Sequence, residues 1–168
     1  AKGRYGVSTF RQSSDDGVDG REELVSLKES NLTRIVRLPP SMVPAFGAGS
    51  CNMVKAWLDE GHDVNAYYAM VTADGSWLDP VSLLTLASKH RQVPLVEMLL
   101  ECGAAVDMLA GSSGETALMT LCLDGSSANQ HSDFIPVMKT LLRHGASVDL
   151  QDRNGLTAVM RASRGGNT

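Results

Sequence analysis

The sequence predicts an all-α solenoid, in which helix–turn–helix units stack side by side behind a non-repeating N-terminal extension. The first observation is a recurring stretch. Leu99-Leu100-Glu101-Cys102-Gly103-Ala104-Ala105-Val106-Asp107 returns as Leu141-Leu142-Arg143-His144-Gly145-Ala146-Ser147-Val148-Asp149, and more loosely as Trp57-Leu58-Asp59-Glu60-Gly61-His62-Asp63-Val64-Asn65. In each copy an apolar pair closes the buried face of a helix, and a Gly ends the helix in the left-handed C′ position without a Cβ penalty. A Val then turns back into the core, followed by Asp or Asn. Three copies of one helix terminator define an internal repeat. The second observation is that Pro94 and Pro136 each open an apolar segment at the first helical position, where a missing N–H costs nothing. The third is composition: 43% hydrophobic, only 5% aromatic and 8 Met suit helix-on-helix packing better than a β-sandwich.

The bounds agree with one domain. A chain of 168 residues is long enough for a single sizeable core. A net charge of −4 argues against a dedicated nucleic-acid binder, which would carry a basic face. No apolar run approaches the ~18–20 residues of a membrane span. Cys51, Cys102 and Cys122 are odd in number and lack CxxC spacing, so they read as buried or half-buried thiols rather than a zinc site or disulfide frame. The expected setting is therefore an intracellular, reducing compartment: cytosol or nucleus, or an organelle interior if the Ala1 start reflects removal of a transit peptide.

Residues 1–37 form the extension. Ala1–Gly20 is polar and Gly/Ser-rich, with Ser13-Ser14-Asp15-Asp16-Gly17 at its centre, and is expected to be disordered or ordered only by a partner. Asp19 and Glu22 then read as an N-cap and its capping-box partner, predicting a short helix over Glu22–Glu29 with Leu24, Val25 and Leu27 inward. Leu32, Ile35, Val36 and Leu38 make a second apolar patch that Pro39-Pro40 ends. Together these are expected to cap the open end of the solenoid.

The repeat region runs over 38–168, with units at about 40–65, 66–107, 108–149 and an incomplete 150–168. Ala45, Ala87, Leu121 and Ala162 fall at one common core position of the first helices. Thr116 and Thr157 are predicted N-caps for the first helices of units three and four, with tight turns at Gly114 and Gly155 just before them. The pattern culminates in Gly145-Ala146-Ser147-Val148-Asp149-Leu150-Gln151-Asp152-Arg153-Asn154-Gly155-Leu156-Thr157, which resembles the ankyrin repeat over roughly Pro40 to the end. The resemblance implies paired helices joined by finger loops, with fingers and first helices lining a concave face. This sequence departs from the family in several places. Ala117 and Ala158 stand where the family's box has Pro, and Met119 and Met160 where it has His. Pro44 falls inside the first helix, which should be short or irregular. Gly61, Gly103 and Gly145 are evenly spaced at more than the usual ~33 residues, yet the extra residues differ in place. They lengthen a finger over Ala66–Asp79 in one case, and the inter-helix loop around Asp124–Asp133 in the other.

No catalytic constellation is legible. His62, His90, His131 and His144 sit singly, His144 being placed to favour a helix C-terminus. There is no HExxH and no phosphate-binding glycine loop; Gly111-Ser112-Ser113-Gly114 reads as a turn. The chain is expected not to be an enzyme and to need no cofactor and no metal. Binding is the remaining chemistry. The long finger holds Tyr67, Tyr68 and Trp77, aromatics of the kind that interface hot spots favour, unless they fold back as a lid over Trp57. The expected partner-binding set is Tyr67, Tyr68, Met70, Asp74 and Trp77 on the finger, with Lys89, Arg161 and Arg164 along the first helices. The resemblance implies a non-catalytic protein–protein interaction module, a scaffold or adaptor. Two alternatives stand beside it: an accessory subunit of a large assembly held by its N-terminal tail and open C-terminal end, and a regulatory repeat region of a larger enzyme. One or more proteins are the expected partners, with no nucleic acid and no membrane span. The C-terminal flank is expected to be continued by further repeats or covered by another chain.

Overall fold

A computed structural model describes residues 23–28, 31–70, 78–123 and 134–164. Seven helices appear among them, in four successive levels. The first helices of each level are α1 (Met42–Ala48), α3 (Leu83–Lys89), α5 (Ala117–Leu123) and α7 (Ala158–Arg164). The second helices are α2 (Cys51–Asp59), α4 (Val93–Glu101) and α6 (Ile135–Arg143). First helices pack on first helices, α1 on α3 on α5 on α7, and second on second, α2 on α4 on α6. This is the layered solenoid that the repeats predict.

The glycines of the recurring stretch do what their chemistry requires, but the Val expected to turn into the core is only half-buried at Val64 and Val106 and is 43% exposed at Val148. Gly61, Gly103 and Gly145 have φ of 98°, 87° and 85°. At the end of α4 the Gly103 N–H donates to Leu100 O at 3.0 Å and the Ala104 N–H to Leu99 O at 3.0 Å. Gly145 and Ala146 repeat this on Leu142 and Leu141. The paired bonds of this Schellman motif satisfy carbonyls that the helix end would otherwise orphan. The first Leu of each pair, Leu99 and Leu141, is wholly buried. After the glycines comes an inter-level clasp. The Asn65 side chain donates to Gly103 O at 3.0 Å and accepts from the Ala105 N–H at 2.7 Å, while Asp107 accepts from the Ser147 N–H at 2.9 Å. The polar residue closing the first two copies thus ties one level to the next.

Helix starts follow the expected chemistry. Thr116 and Thr157 hydroxyls accept from the N–H of Met119 (3.2 Å) and Met160 (3.3 Å), and Ser82 does the same for Thr85 at 3.0 Å. Pro94 and Pro136 lie one residue inside α4 and α6, still within the first turn. Pro44 also falls in the first turn of α1, where no N–H has a partner in the helix, so α1 keeps the same seven residues as α3, α5 and α7. The expected irregularity is absent for that reason. His144 Nδ1 lies 2.9 Å from Thr140 O at the end of α6, in the predicted helix-terminal role.

The N-terminal segment corrects the sequence reading. Residues predicted as a helix over Glu22–Glu29 form β1 (Glu23–Lys28), antiparallel to β2 (Asn31–Arg37) with Glu23 opposite Val36 and Lys28 opposite Asn31. β2 in turn pairs in parallel with β3 (Tyr67–Ala69), Ile35 opposite Tyr67 and Arg37 opposite Ala69. The capping-box signal is a local one worth about 1 kcal/mol. A partner strand rich in Thr, Ile and Val, itself fixed to β3, outweighs it. The N-terminal hairpin therefore joins the first finger in a three-stranded sheet. Ala1–Gly20, with the expectation of disorder, lies outside the described residues.

The core is continuous from Leu38 and Phe46 through Leu83, Leu84, Leu95 and Leu99 to Met119, Leu121 and Leu141. Ala45, Ala87 and Leu121 are buried at their shared position, and Ala162 is half-buried. The last level presents its outer flank. Val159 and Met160 are 65% and 49% exposed, whereas their counterparts Leu118 and Met119 in α5 are 2% and 1% exposed. Of the thiols, Cys122 is buried and Cys51 half-buried as expected, but Cys102 is exposed at the end of α4. One backbone feature departs from the sequence rules: Arg91, between α3 and α4, has φ 58°. For an L-residue this conformation costs on the order of 1–2 kcal/mol.

Candidate protein-interaction surface

Three fingers project between the levels, and their bases are short antiparallel ladders. In the first, Tyr68 and Val81 exchange backbone hydrogen bonds of 2.8 and 2.9 Å, and the Leu78 N–H donates to Met70 O at 2.9 Å. In the second, Ala110 and Glu115 pair across the Gly111–Gly114 turn, at 2.8 and 2.9 Å. In the third, the Asp152 N–H donates to Leu156 O at 3.0 Å around Arg153-Asn154-Gly155. The Asp152 carboxylate also receives the Asn154 and Leu156 N–H groups, both at 2.8 Å, which shapes the turn.

The fingers are also bonded side to side. Tyr67 Oη donates to Leu109 O at 2.7 Å, and the Gly111 N–H donates to Pro80 O at 2.8 Å. Asp79 accepts from Ser112 Oγ at 2.5 Å. Arg153 Nη1 reaches Ser112 O at 2.6 Å, and its N–H reaches Ser113 O at 3.0 Å. Preorganisation of this kind lowers the ordering cost of binding.

The expected partner-binding residues divide into four groups. Tyr67 is half-exposed on the finger ridge, and Met70 is half-buried against the core. Asp74 and Trp77 fall outside the described residues. Lys89 and Arg164 are exposed at the ends of α3 and α7. Tyr68 and Arg161 are buried, so their side chains are structural rather than presented to solvent. Tyr68, 1% exposed, donates its hydroxyl to Asp63 O at 2.7 Å and meets Trp57 edge-on, 5.3 Å between centroids. His62 stacks on the same indole at 4.2 Å. This one tyrosine does fold back over Trp57, the lid that the sequence left open.

Arg161 is 4% exposed and closes a charged cluster between the third and fourth levels. Its Nη1 lies 2.7 Å from Glu115 Oε1, and its Nε donates to Asp152 Oδ2 at 2.9 Å, with a second bond from Nη2 to the same oxygen. Ser113 Oγ donates to Glu115 at 2.6 Å. Desolvation, the largest single influence, pushes the Asp152 carboxyl up; the Leu156 N–H, the Arg161 guanidinium and the Asn154 N–H together outweigh it and hold the group below its ordinary value. Desolvation likewise works against the Arg161 charge, and the Asp152 and Glu115 carboxylates overcome it. Sequence reasoning placed Arg161 with Lys89 and Arg164 in the partner-binding set along the first helices, and the structure buries it instead. The signal for its burial was Asp152, nine residues earlier at the base of the finger.

The structure adds two surface residues that sequence reasoning missed. Leu109, bonded to Tyr67, and Leu78, opposite Met70 on the first finger, are 43% and 44% exposed, so the fingers carry more apolar surface than their aromatics alone. Among the described residues no group of three or more His, Cys, Asp or Glu side chains is placed to hold a metal, and no helix is long and apolar enough to cross a membrane.

Known proteins place this architecture. The family described as "Ankyrin repeats (3 copies)" matches residues 84–168. Similar curated proteins include "Ankyrin repeat and SAM domain-containing protein 6" from Rattus norvegicus, 33% identical over 119 residues, and its namesake from Mus musculus, also 33% identical over 119 residues. Each alignment covers 71% of this chain and 12% of the relative, so the chain spans about an eighth of the length of the proteins it matches. Stacked helix pairs, glycine-terminated second helices, threonine-capped first helices and laterally bonded fingers have one common explanation: the chain belongs to the ankyrin repeat family.

Proposed function

We propose that this chain is a non-catalytic scaffold or adaptor module that binds a protein partner across its finger ridge and first-helix face. Ankyrin repeats are generally protein–protein interaction modules, and the family is typically non-catalytic, which supports the class. The observation that carries the location is the bonded ridge itself. Tyr67 and the exposed Leu109 are tied together by the Tyr67–Leu109 hydrogen bond, beside the Gly111–Pro80 bond, and the exposed Leu78 lies further out on the return side of the first finger, opposite Met70. A rigid amphipathic aromatic beside exposed leucines is the composition that interface hot spots favour. Met70, Asp74 and Trp77 extend this surface along the finger in sequence, and Lys89 and Arg164 would carry the contact to the exposed C-terminal ends of the first helices α3 and α7. Tyr68 and Arg161 serve it indirectly, as supports. The setting we propose is an intracellular, reducing compartment, in keeping with three free cysteines.

The test is site-specific photo-crosslinking. A benzophenone side chain is placed at Trp77, at Leu109 and, as a control on the second-helix face, at Lys139, and each folded variant is exposed to extract. Crosslinked protein at 77 and 109 but not at 139 is expected. Adducts confined to 139 would move the binding face to the second helices and defeat the proposal.

An accessory subunit held by its ends is the second reading. The exposed Val159 and Met160 favour it, since an apolar flank of this kind is suited to cover by another body. Hydrogen exchange on the isolated chain decides this reading: slow exchange over residues 1–20 and 157–168 without any partner would remove it.

A further inference from the structure

The first copy of the recurring stretch differs from the others at two residues that touch. Where the later copies carry Leu99 with Ala104 and Leu141 with Ala146, the first carries Trp57 with His62. There an imidazole lies flat on an indole, 4.2 Å between centroids and 15° between planes. The site is largely closed to water: Trp57 is 8% exposed and the His62 side chain 17%. The first finger completes the enclosure. Tyr68, from β3, meets the same indole edge-on at 60°, and its hydroxyl donates at 2.7 Å to the carbonyl of Asp63, the residue after His62. The Ala66 N–H donates to that carbonyl too, at 3.2 Å. Trp57, His62, Asp63 and Tyr68 thus hold the foot of the finger in one ring of contacts. His62 is the member whose ordinary titration range falls between about pH 5 and 8.

The charged groups on the elements around it are mostly acidic. Glu60 Oε2 lies 3.9 Å from His62 Nε2, and the Asp63 carboxylate accepts from the Asn65 N–H at 2.8 Å. On α2, Lys55 is paired with Asp59 at 3.2 Å. The neighbouring α4 carries Glu97, which accepts from Thr140 at 3.4 Å, and Glu101 at its end. Arg37, at the end of β2, is engaged within the chain. An imidazolium over the indole face is attracted by the ring quadrupole, the more so where water is excluded, and a neutral imidazole lacks that attraction. We infer that His62 is a pH-sensitive clip at the foot of the first finger: its protonation tightens the stack on Trp57 and, through Tyr68 and Asp63, steadies the finger strand Tyr67–Ala69. The clip's contribution is complete where the imidazole is protonated, and it is lost as the pH rises through the imidazole range near 6.5. The clip acts on the fold of the finger and stands whether or not the ridge binds a partner.

The test uses the whole chain carrying Trp77→Phe, which leaves Trp57 as its one tryptophan. A stacked imidazolium quenches indole emission far more than a neutral imidazole does. Trp57 emission is therefore expected to fall between about pH 8 and pH 5 along a single titration curve. His62→Ala, which copies Ala104 and Ala146, is expected to hold it flat, and so is His62→Phe, which keeps a stacked ring without the charge. Over the same range the folding equilibrium constant from urea unfolding should rise about 2–10-fold relative to that of His62→Ala. Glu60→Gln should keep most of the emission change, because the indole is the partner that matters. Amide exchange over residues 66–70, corrected for its intrinsic pH dependence, should slow at the acid end relative to residues 108–116 of the second finger, and His62→Ala should remove the difference. The clip is overturned if Trp57 emission titrates equally in His62→Ala, if that variant gains the same stability on acidification, if Glu60→Gln abolishes the change, or if exchange at 66–70 does not follow the titration.

Discussion

Gly49 lies where two constraints meet, and replacing it with alanine should separate them. Its φ is 66°, so any side chain is strained there. A Cβ built on Gly49 would also lie 2.3 Å from Gln92 Oε1 and 2.9 Å from its Cδ. Gly103 has a similar φ of 87° but nothing within 4 Å of such a Cβ, so it measures the backbone term alone. For Gly103→Ala that term is about 1 kcal/mol. Gly49→Ala adds the displacement of Gln92, whose amide must release Gly47 O; losing that hydrogen bond adds about 1 kcal/mol. The total expected for Gly49→Ala is about 2 kcal/mol. Urea unfolding followed by far-UV circular dichroism supplies the values, and a cycle with Gln92→Ala isolates the coupling. In the Gln92→Ala background the Gly49→Ala cost should fall to that of Gly103→Ala. Equal costs for the two glycines in the wild-type background, or no coupling to Gln92, would refute the reasoning.

Further outcomes follow from other parts of the structure. Ser88 is wholly buried in α3 and its Oγ has no hydrogen-bond partner, so Ser88→Ala should raise stability by about 1 kcal/mol, through relief of desolvation and better helix propensity, as read from the urea midpoint. Asn65→Ala removes both clasps on Gly103 O and Ala105 N–H and should cost about 1–2 kcal/mol by the same assay; a loss under about 0.3 kcal/mol would show that water replaces them without penalty. Asp152 is held below its ordinary value near 3.8 in the folded chain, so its contribution is full above that pH and is lost as the pH falls through the lower folded value. Asp152→Asn should therefore flatten the acid limb of stability against pH below about 4, and an unchanged limb would remove Asp152 from the account. Tyr68→Phe leaves the packing on Trp57 and deletes the bond to Asp63 O, for an expected loss of about 1 kcal/mol in the urea midpoint.

Repetition explains why so much was legible. Glycine at Gly61, Gly103 and Gly145 and threonine at Thr116 and Thr157 each act on backbone groups within a few residues, so their roles are written locally and written more than once. The strand at Glu23–Lys28 was illegible for the opposite reason. Its conformation is set by pairing with β2 and, through it, with Tyr67–Ala69 far along the chain, while the Asp19/Glu22 signal spoke only for its own neighbourhood. The candidate surface was half legible. An aromatic-rich finger could be placed from the insertion after Asn65, but which tyrosine points out depends on register. Alternation across β3 puts Tyr68 against Trp57 and leaves Tyr67 on the ridge. Arg161 illustrates the same limit: its periodicity marked a first-helix position, and only the finger turn at Asp152 decides that the guanidinium turns inward.

The central claim is that partners dock on the finger ridge. The most direct measurement is the affinity of the crosslinked partner, purified and titrated calorimetrically, for the chain carrying Tyr67→Ala, Trp77→Ala or Leu109→Ala, each checked for native circular dichroism. At least one of these variants should weaken binding tenfold or more, the size expected of a hot-spot residue. Wild-type affinity in all three would contradict the account and place the binding face elsewhere on the solenoid.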